Sequence, residues 1–372
     1  MSTIKVNAIK NTSTDDGGIA IDNSGHVTVD GQQMPTAGAL SHRNKIINGD
    51  MRIDQRNSGS SVNYPAGVAY SVDRFIHEKH DMSTLVATIQ QVSDAPAGFY
   101  KSLKTTVTTT ETSSGDDRFV GADQRIEGYN WADMNFGTAN AESFTMSFYV
   151  KSNVAGTYPI SFFNASVTRA FLTTYTISSL EANTWVRKTI TVPGDTSGTW
   201  DTTNGVGLGF QMALGTGSND HGTAGTTWGS TYKRGTSDCV NLNETLNATW
   251  QITGVQIERG SKATEFEHRN FGDELARCMR YAYKLTDALL GFTVNASDLY
   301  YPVLKHPHQM RTNPTLETGA SFNAHTGNNG TPAIANGRFV GADGKNQVAI
   351  WNSANNWSTA WIAFTGVIAA EL

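Results

Sequence analysis

GVGLGFQMAL, residues 205–214, alternates without a break, with Val206, Leu208, Phe210, Met212 and Leu214 on one side and Gly205, Gly207 and Gly209 on the other. A two-residue period sends successive side chains to opposite faces of a sheet, so this stretch is a strand with one apolar face turned to a core. Three glycines on the other face leave it without packing of its own, and something must lie close against it. Two occupants fit: a strand or loop lying flat on the sheet, or a ligand in a shallow groove.

The same reading extends outward. ESFTMSFYVKS (142–152) repeats the period with Phe144, Met146, Phe148 and Val150. In WQITGVQIE (250–258), Trp250 and Ile252 are even but Val255 and Ile257 are odd, a parity switch at Thr253–Gly254. One extra residue does this, so a bulge is predicted, in a bent strand crossing between two sheets of a sandwich. From Ile46 to about residue 258 short strands recur, joined by long loops such as 215–238. NKIINGDMRIDQRNSG (44–59) opens this region with short strands broken by turns.

Composition agrees. Of 372 residues 38% are apolar and only 16% charged, the balance going to Thr, Ser, Asn and 36 glycines, which suits strands joined by many turns. The fold class read from this is all-β, with a jelly-roll β-sandwich over 45–268.

Ahead of it, IKVNAI places Ile4 and Val6 on one side, and IAIDNSGHVTV is a hairpin with Ile19, Ile21, Val27 and Val29. These strands carry too few apolar groups to bury themselves alone, so they are expected to find partners on other copies or on a larger particle. With the linker GQQMPTAGALSHRN they make residues 1–44 an N-terminal β attachment segment. After the sandwich, NFGDELARCMRYAYKL reads as one connecting α-helix within 269–287, with Asn270 as N-cap, Asp273 in its first turn, and Leu275, Cys278, Met279, Ala282 and Leu285 on one face. Residues 288–372 return to β character as a small C-terminal β domain.

A net charge of −5, with no Lys/Arg cluster longer than a pair, argues against nucleic acid as a partner. No apolar run is long enough for membrane insertion and no leader-like apolar core opens the chain, so synthesis in a cytoplasm without export by the usual route is expected. Cys239 and Cys278 lie in unlike contexts and are expected to be thiols.

Several blocks resemble the heads of bacteriophage tail-fibre and related virion-attached receptor-binding proteins: NKIINGDMRIDQR, YSVDRF (70–75), QRIEGYNWADMNFGTANAESFTMSFYVKS (124–152), TWVRKTITVPGDTSGTW (184–200), ITGVQIERGSKATEFEHRNFGDELARCMRYAY (252–283) and YYPVLKHPHQMRTNPTLETG (300–319). The start, STIKVNAIKN, is similar to the particle-attachment region of such fibres. The resemblance implies a jelly-roll head like a carbohydrate-binding module, a homotrimer, attachment to other virion tail proteins through the N-terminus, and binding of host surface polysaccharide. No sugar-contacting residue carries over, because the matched blocks are scaffold.

No nucleophile elbow or phosphate loop is present, and no catalytic residue and no cofactor is assigned. Among the acids, Asp116, Asp117, Asp123, Glu127 and Asp133 are the ones from which a glycan-cleaving pair would be drawn. Asp195 with Asp201, Asp116 with Asp117, and His306 with His308 are the nearest approaches to metal ligands, and each reads as turn or loop chemistry, so no metal is assigned. Sugar rings stack on exposed aromatic planes, which makes Trp228 and Tyr232 of the 215–238 loop candidate carbohydrate contacts. Trp351, Trp357 and Trp361 share parity and suit a sugar platform or a buried stripe between subunits. The expected function is a non-enzymatic phage virion protein, a tail fibre binding host glycan; the alternative is an architectural part, a capsid decoration or tail component.

Overall fold

The computed structural model describes residues 8–10, 18–21, 27–29, 32–34, 42–111, 115–292, 303–317, 321–326, 338–340, 347–351 and 360–372. The chain divides into two units, one of Met1–Arg52 with Gly59–Arg269 and one of Ile53–Ser58 with Asn270–Leu372.

In the first unit, β1 (Ala8–Lys10), β2 (Gly18–Ile21), β3 (Val27–Val29) and β4 (Gln32–Gln33) form an antiparallel sheet in chain order. Ile9, Ile19 and Val29 stand opposite one another, and Ile21 stands opposite Val27, so all five share one face. Ile9 is 62% exposed and Ile19 and Ile21 41% each, so the described residues leave that apolar face open. The hairpin expected over 19–29 is present; Ile4 and Val6 lie outside the described residues.

The next strands are β5 (Val62–Asn63), β6 (Gly67–Tyr70), β7 (Ile76–His80), β8 (Val86–Val92), β9 (Ser102–Thr109), β10 (Phe119–Glu127), β11 (Phe144–Ser152), β12 (Gly156–Phe163), β13 (Ala170–Ile177), β14 (Val186–Val192), β15 (Val206–Thr216) and β16 (Thr249–Arg259). They form two six-stranded sheets, β13-β12-β15-β10-β7-β6 and β14-β11-β16-β9-β8-β5. Apart from the hairpin β12–β13, which stays within one sheet, strands β9 to β16 alternate between the sheets in jelly-roll order, β9-β16-β11-β14 packing on β10-β15-β12-β13. The alternation read from sequence explains the core. Phe144, Met146, Phe148 and Val150 of β11 and Leu208, Phe210, Met212 and Leu214 of β15 are all buried in it, each worth roughly 1.5–3 kcal/mol.

The glycine face of β15 is covered by the chain itself, so the groove alternative does not hold there. A Cβ on Gly205 would sit 2.4 Å from Asp201, one on Gly207 2.8 Å from Gly128 in the short helix α1 (Gly128–Trp131), and one on Gly209 2.4 Å from the Phe163 ring. The bulge in β16 is present: Gly254 has φ +62°, and the register with β11 slips between Ser147 and Tyr149. The strand nevertheless stays in one sheet rather than crossing, because the bulge returns Val255 and Ile257 to the core that already holds Trp250 and Ile252.

Residues 44–52 form turns, not the short strands expected, although Ile46 and Met51 are fully buried. Side-chain amides replace a regular ladder. The Asn44 carboxamide donates to Val255 O (3.2 Å) and accepts from Ile46 N and Ile257 N, while Gln124 brackets Ile47 by accepting from its N–H (3.1 Å) and donating to its carbonyl (3.0 Å). Val255 N donates to Gly49 O at 2.9 Å, seating this segment on the bulge.

In the second unit, α2 (Phe271–Met279) is shorter than the helix expected from sequence, and Ala282 and Leu285 belong to β17 (Ala282–Phe292). Tyr281, Ala282 and Tyr283 are all buried; three consecutive buried residues do not fit one helical stripe, and pairing Ala282 with Ala369 and Leu285 with Gly366 satisfies the backbone in a sheet. Asn270 makes no side-chain cap bond. The remaining strands are β18 (Val303–Lys305), β19 (Thr315–Leu316), β20 (Ser321–Thr326), β21 (Arg338–Val340), β22 (Gln347–Trp351) and β23 (Ala360–Ala369). They form one sheet about β23 (with β17, β19 and β20) and another in the order β18-β22-β21. Residues 53–58 belong here: Arg56 donates to Glu317 (2.6 Å) and Glu371 (3.2 Å).

Candidate functional site

The two outer faces of the sandwich differ. The face of the β13-to-β6 sheet is crossed by residues 217–239. Gly229 and Ala170 exchange both backbone hydrogen bonds at 2.8 Å, and Ser161 Oγ donates to Lys233 O. This strap carries both loop candidates, and neither is a free platform. Trp228 packs on the core against Phe136, Phe171 and Trp200, ring centroids 5.2–5.6 Å away, and its indole N–H donates to Pro193 O. Tyr232 lies on Phe163, and its hydroxyl donates to Gln211 Oε1 at 2.6 Å; burial raises its pKa. A Gly/Thr-rich loop is able to do this because β13 and β12 offer it backbone partners, which loop composition does not announce.

Beneath the strap lies a cluster of charged groups. Glu78 accepts from Gln211 Nε2 (3.2 Å) and Arg125 Nη2 (3.5 Å), and Arg234 stacks over Phe119 at 4.6 Å. Asp123 is 1% exposed and its carboxyl oxygens accept no hydrogen bond among the described residues, the Arg125 Nε standing 3.7 Å away. Burial first, then the charge of Glu78, pushes its pKa up to about 8, against Arg125, Arg234 and Arg74. The cluster is an enclosed one. Of the other acids considered for glycan cleavage, Asp116 accepts from Ser218, Asp117 from Asn219, Asp133 pairs with Lys45, and Glu127 is buried.

The outer face of the β14-to-β5 sheet carries a different array. Gln90, Lys104, Gln251 and Lys151 stand opposite one another across β8, β9, β16 and β11. Their chain neighbours Ile89, Leu103, Ile252 and Val150 are core residues, so the row points outward. Trp185, just ahead of β14, continues it. With strands about 4.8 Å apart, five positions span roughly 19 Å. Gln251 is 3% exposed and forms the floor, while Gln90, Lys104, Lys151 and Trp185 are half-buried around it. Asp94 organises one end, accepting from Lys151 Nζ (2.8 Å) and Trp185 Nε1 (3.1 Å); these bonds, that of Lys151 foremost, hold its carboxyl below its usual pKa. Thr88, Thr106 and Thr249 form a parallel row of hydroxyls. An indole plane, amides, an ammonium and hydroxyls in line are the groups that hold an extended saccharide. Sequence reading missed this row. The signal was Trp185 at a solvent parity ahead of Val186, Ile190 and Val192, inside a block read as scaffold.

Trp351 ends β22, opposite Arg338, and Trp361 lies in β23, opposite His325, so the two belong to different sheets; Trp357 lies outside the described residues. His306 meets Tyr283 at 2.5 Å, and Asp195 takes Arg169 in two bonds (2.7 and 2.8 Å). Among the described residues no group of three metal-ligating side chains occurs, and no helix is long and apolar enough to cross a membrane. Cys239 and Cys278 are thiols.

No family model and no curated protein matches this chain. Solved structures similar to it include the enzymatically active domain of tailspike protein 4 from bacteriophage CBA120, at 13% identity and TM-score 0.31 over 58% of this chain and 21% of that one. Another is a family 11 carbohydrate-binding module from Clostridium thermocellum in complex with a β-1,3-1,4-mixed-linked tetrasaccharide, at 14% identity and TM-score 0.28, over 56% of this chain and 100% of that one. A third comprises the CBM22-1 and GH10 modules of a Clostridium thermocellum endo-1,4-β-D-xylanase with xylohexaose, at 14% identity and TM-score 0.27 over 56% and 30%. The likeness is one of β-sandwich fold. This chain spans about a fifth of the tailspike domain.

Proposed function

We propose that this chain is a non-enzymatic structural protein of a phage virion, a tail-fibre component, that holds host surface polysaccharide along the half-buried row on the outer face of its β14-to-β5 sheet. The row Gln90–Lys104–Gln251–Lys151–Trp185 carries the reading, because it aligns polar groups and one indole over the length of several sugar rings. The apolar face of the N-terminal sheet supports attachment to a particle or to sibling chains in a trimer, and several copies would bind a polymer by avidity with weak single sites. The same open face favours the second reading, an architectural virion part, should no glycan bind.

The test is affinity electrophoresis of the full chain through a panel of capsular and lipopolysaccharide O-chain polymers, beside Trp185→Ala. Retardation by at least one polymer is expected, with Trp185→Ala weakening it about tenfold while the unfolding midpoint holds. Equal retardation of both proteins removes the row as the site, and indifference to every polymer leaves the architectural reading.

A further inference from the structure

We infer that the saccharide held on this face is anionic and that its acid group sits at Lys104. The inference rests on the saccharide reading above and adds the chemical class of the ligand.

Cations on and beside the row are engaged with groups of this chain, with Lys104 the exception. Lys151 is held by Asp94 at 2.8 Å, Lys188 by Glu181 at 2.8 Å, Arg187 stands 3.6 Å from Glu265, and Lys101 donates to Ser93 Oγ at 3.0 Å. Lys104 has neither ion pair nor hydrogen bond among the described residues, although its side chain is half-buried. Its cross-strand neighbours on this face are the neutral Gln90 and Gln251, and Thr106 lies two residues along its own strand. A half-buried ammonium between two carboxamides and a hydroxyl is a set of donors with no acceptor of matching charge. Carboxylate, phosphate or sulfate on a sugar chain supplies one, since the Asp94 carboxylate is taken by Lys151, Trp185 and Gln251, and the half-buried Gln90 nitrogen carries a second N–H beyond the one it commits elsewhere. Gln90 commits one to Gly59 O. The chain as a whole has net charge −5, so general attraction to polyanions is disfavoured and any preference must be local.

The experiment measures binding of the full chain to sodium polygalacturonate, to the same polymer after carboxyl reduction, to poly(glycerol phosphate) and to dextran sulfate. It includes Lys104→Met, Lys104→Arg and Trp185→Ala, with thermal midpoints taken as a control of folding. The expected result is that at least one anionic polymer binds about tenfold or more tighter than the reduced, neutral one. Lys104→Met should abolish that preference, Lys104→Arg should retain it, and Trp185→Ala should weaken charged and neutral polymers alike. Which acid group is preferred follows from the uronate, phosphate and sulfate arms. If the neutral polymer binds as tightly as the charged ones, or if the preference survives in Lys104→Met, the anionic inference falls and the saccharide reading stands. If no polymer binds, both fall together.

Discussion

Replacing Asp123 with Asn is expected to raise the unfolding midpoint at pH 8 by several degrees and to leave it nearly unchanged at pH 4. Asp123 lies buried under the strap beside Glu78, and its folded pKa of about 8 stands far above the ordinary aspartate value of 3.8. Between those two values the folded chain keeps a proton that the unfolded chain has released. Stability must therefore fall as pH rises through that window and level off above it. A tenfold weakening of an acid on folding corresponds to about 1.4 kcal/mol, so the carboxyl costs a few kcal/mol at pH 8, and the neutral carboxamide removes that cost. His77 complicates either profile taken by itself. Burial lowers its pKa to about 3, so its contribution is complete above pH 6.5 and is lost as pH falls. Both proteins carry it, and their difference at each pH isolates Asp123. Parallel midpoint curves from pH 4 to pH 8 would refute the assignment of a protonated Asp123.

Gly49→Ala should be among the most damaging single methyls at the described glycines. A Cβ there would stand 2.1 Å from Val255 O, and the obstacle is backbone that itself donates to Gly49 O. Neither side yields without opening the seat of residues 44–52 on the β16 bulge, so a loss of roughly 3 kcal/mol or more is expected from denaturant midpoints, or failure to accumulate soluble protein. A change below about 0.5 kcal/mol would show that this close approach does not matter to the fold.

These two positions mark where sequence reading stopped. The inner faces of β11 and β15 and the bulge at Gly254 were readable because burial on one face imposes a two-residue period, and one inserted residue shifts it visibly. Residues 44–52 were not, since Asn44 and Gln124 do by side chain what a ladder does by backbone, and side-chain bonding leaves no period. The helix was overextended because Ala282 and Leu285 fit a helical stripe as well as a strand; β23, about eighty residues on, decides between them. The site followed the same logic. Tyr232 reads from its loop as a surface residue, but as part of the strap it turns inward onto Phe163 and Gln211, and the outer row is assembled from four strands that no local window contains.

The small ladder of guanidinium and carboxylates around Arg56 bears on how such a protein is exchanged in evolution. The chain leaves the first unit at Ile53, returns at Gly59 and leaves again at Asn270. A recombination breakpoint at 269/270 would thus deliver Glu317 and Glu371 without Arg56, the guanidinium that bridges them. Residues 270–372 are no self-sufficient cassette, and a working transplant has to carry the six residues 53–58 along with them.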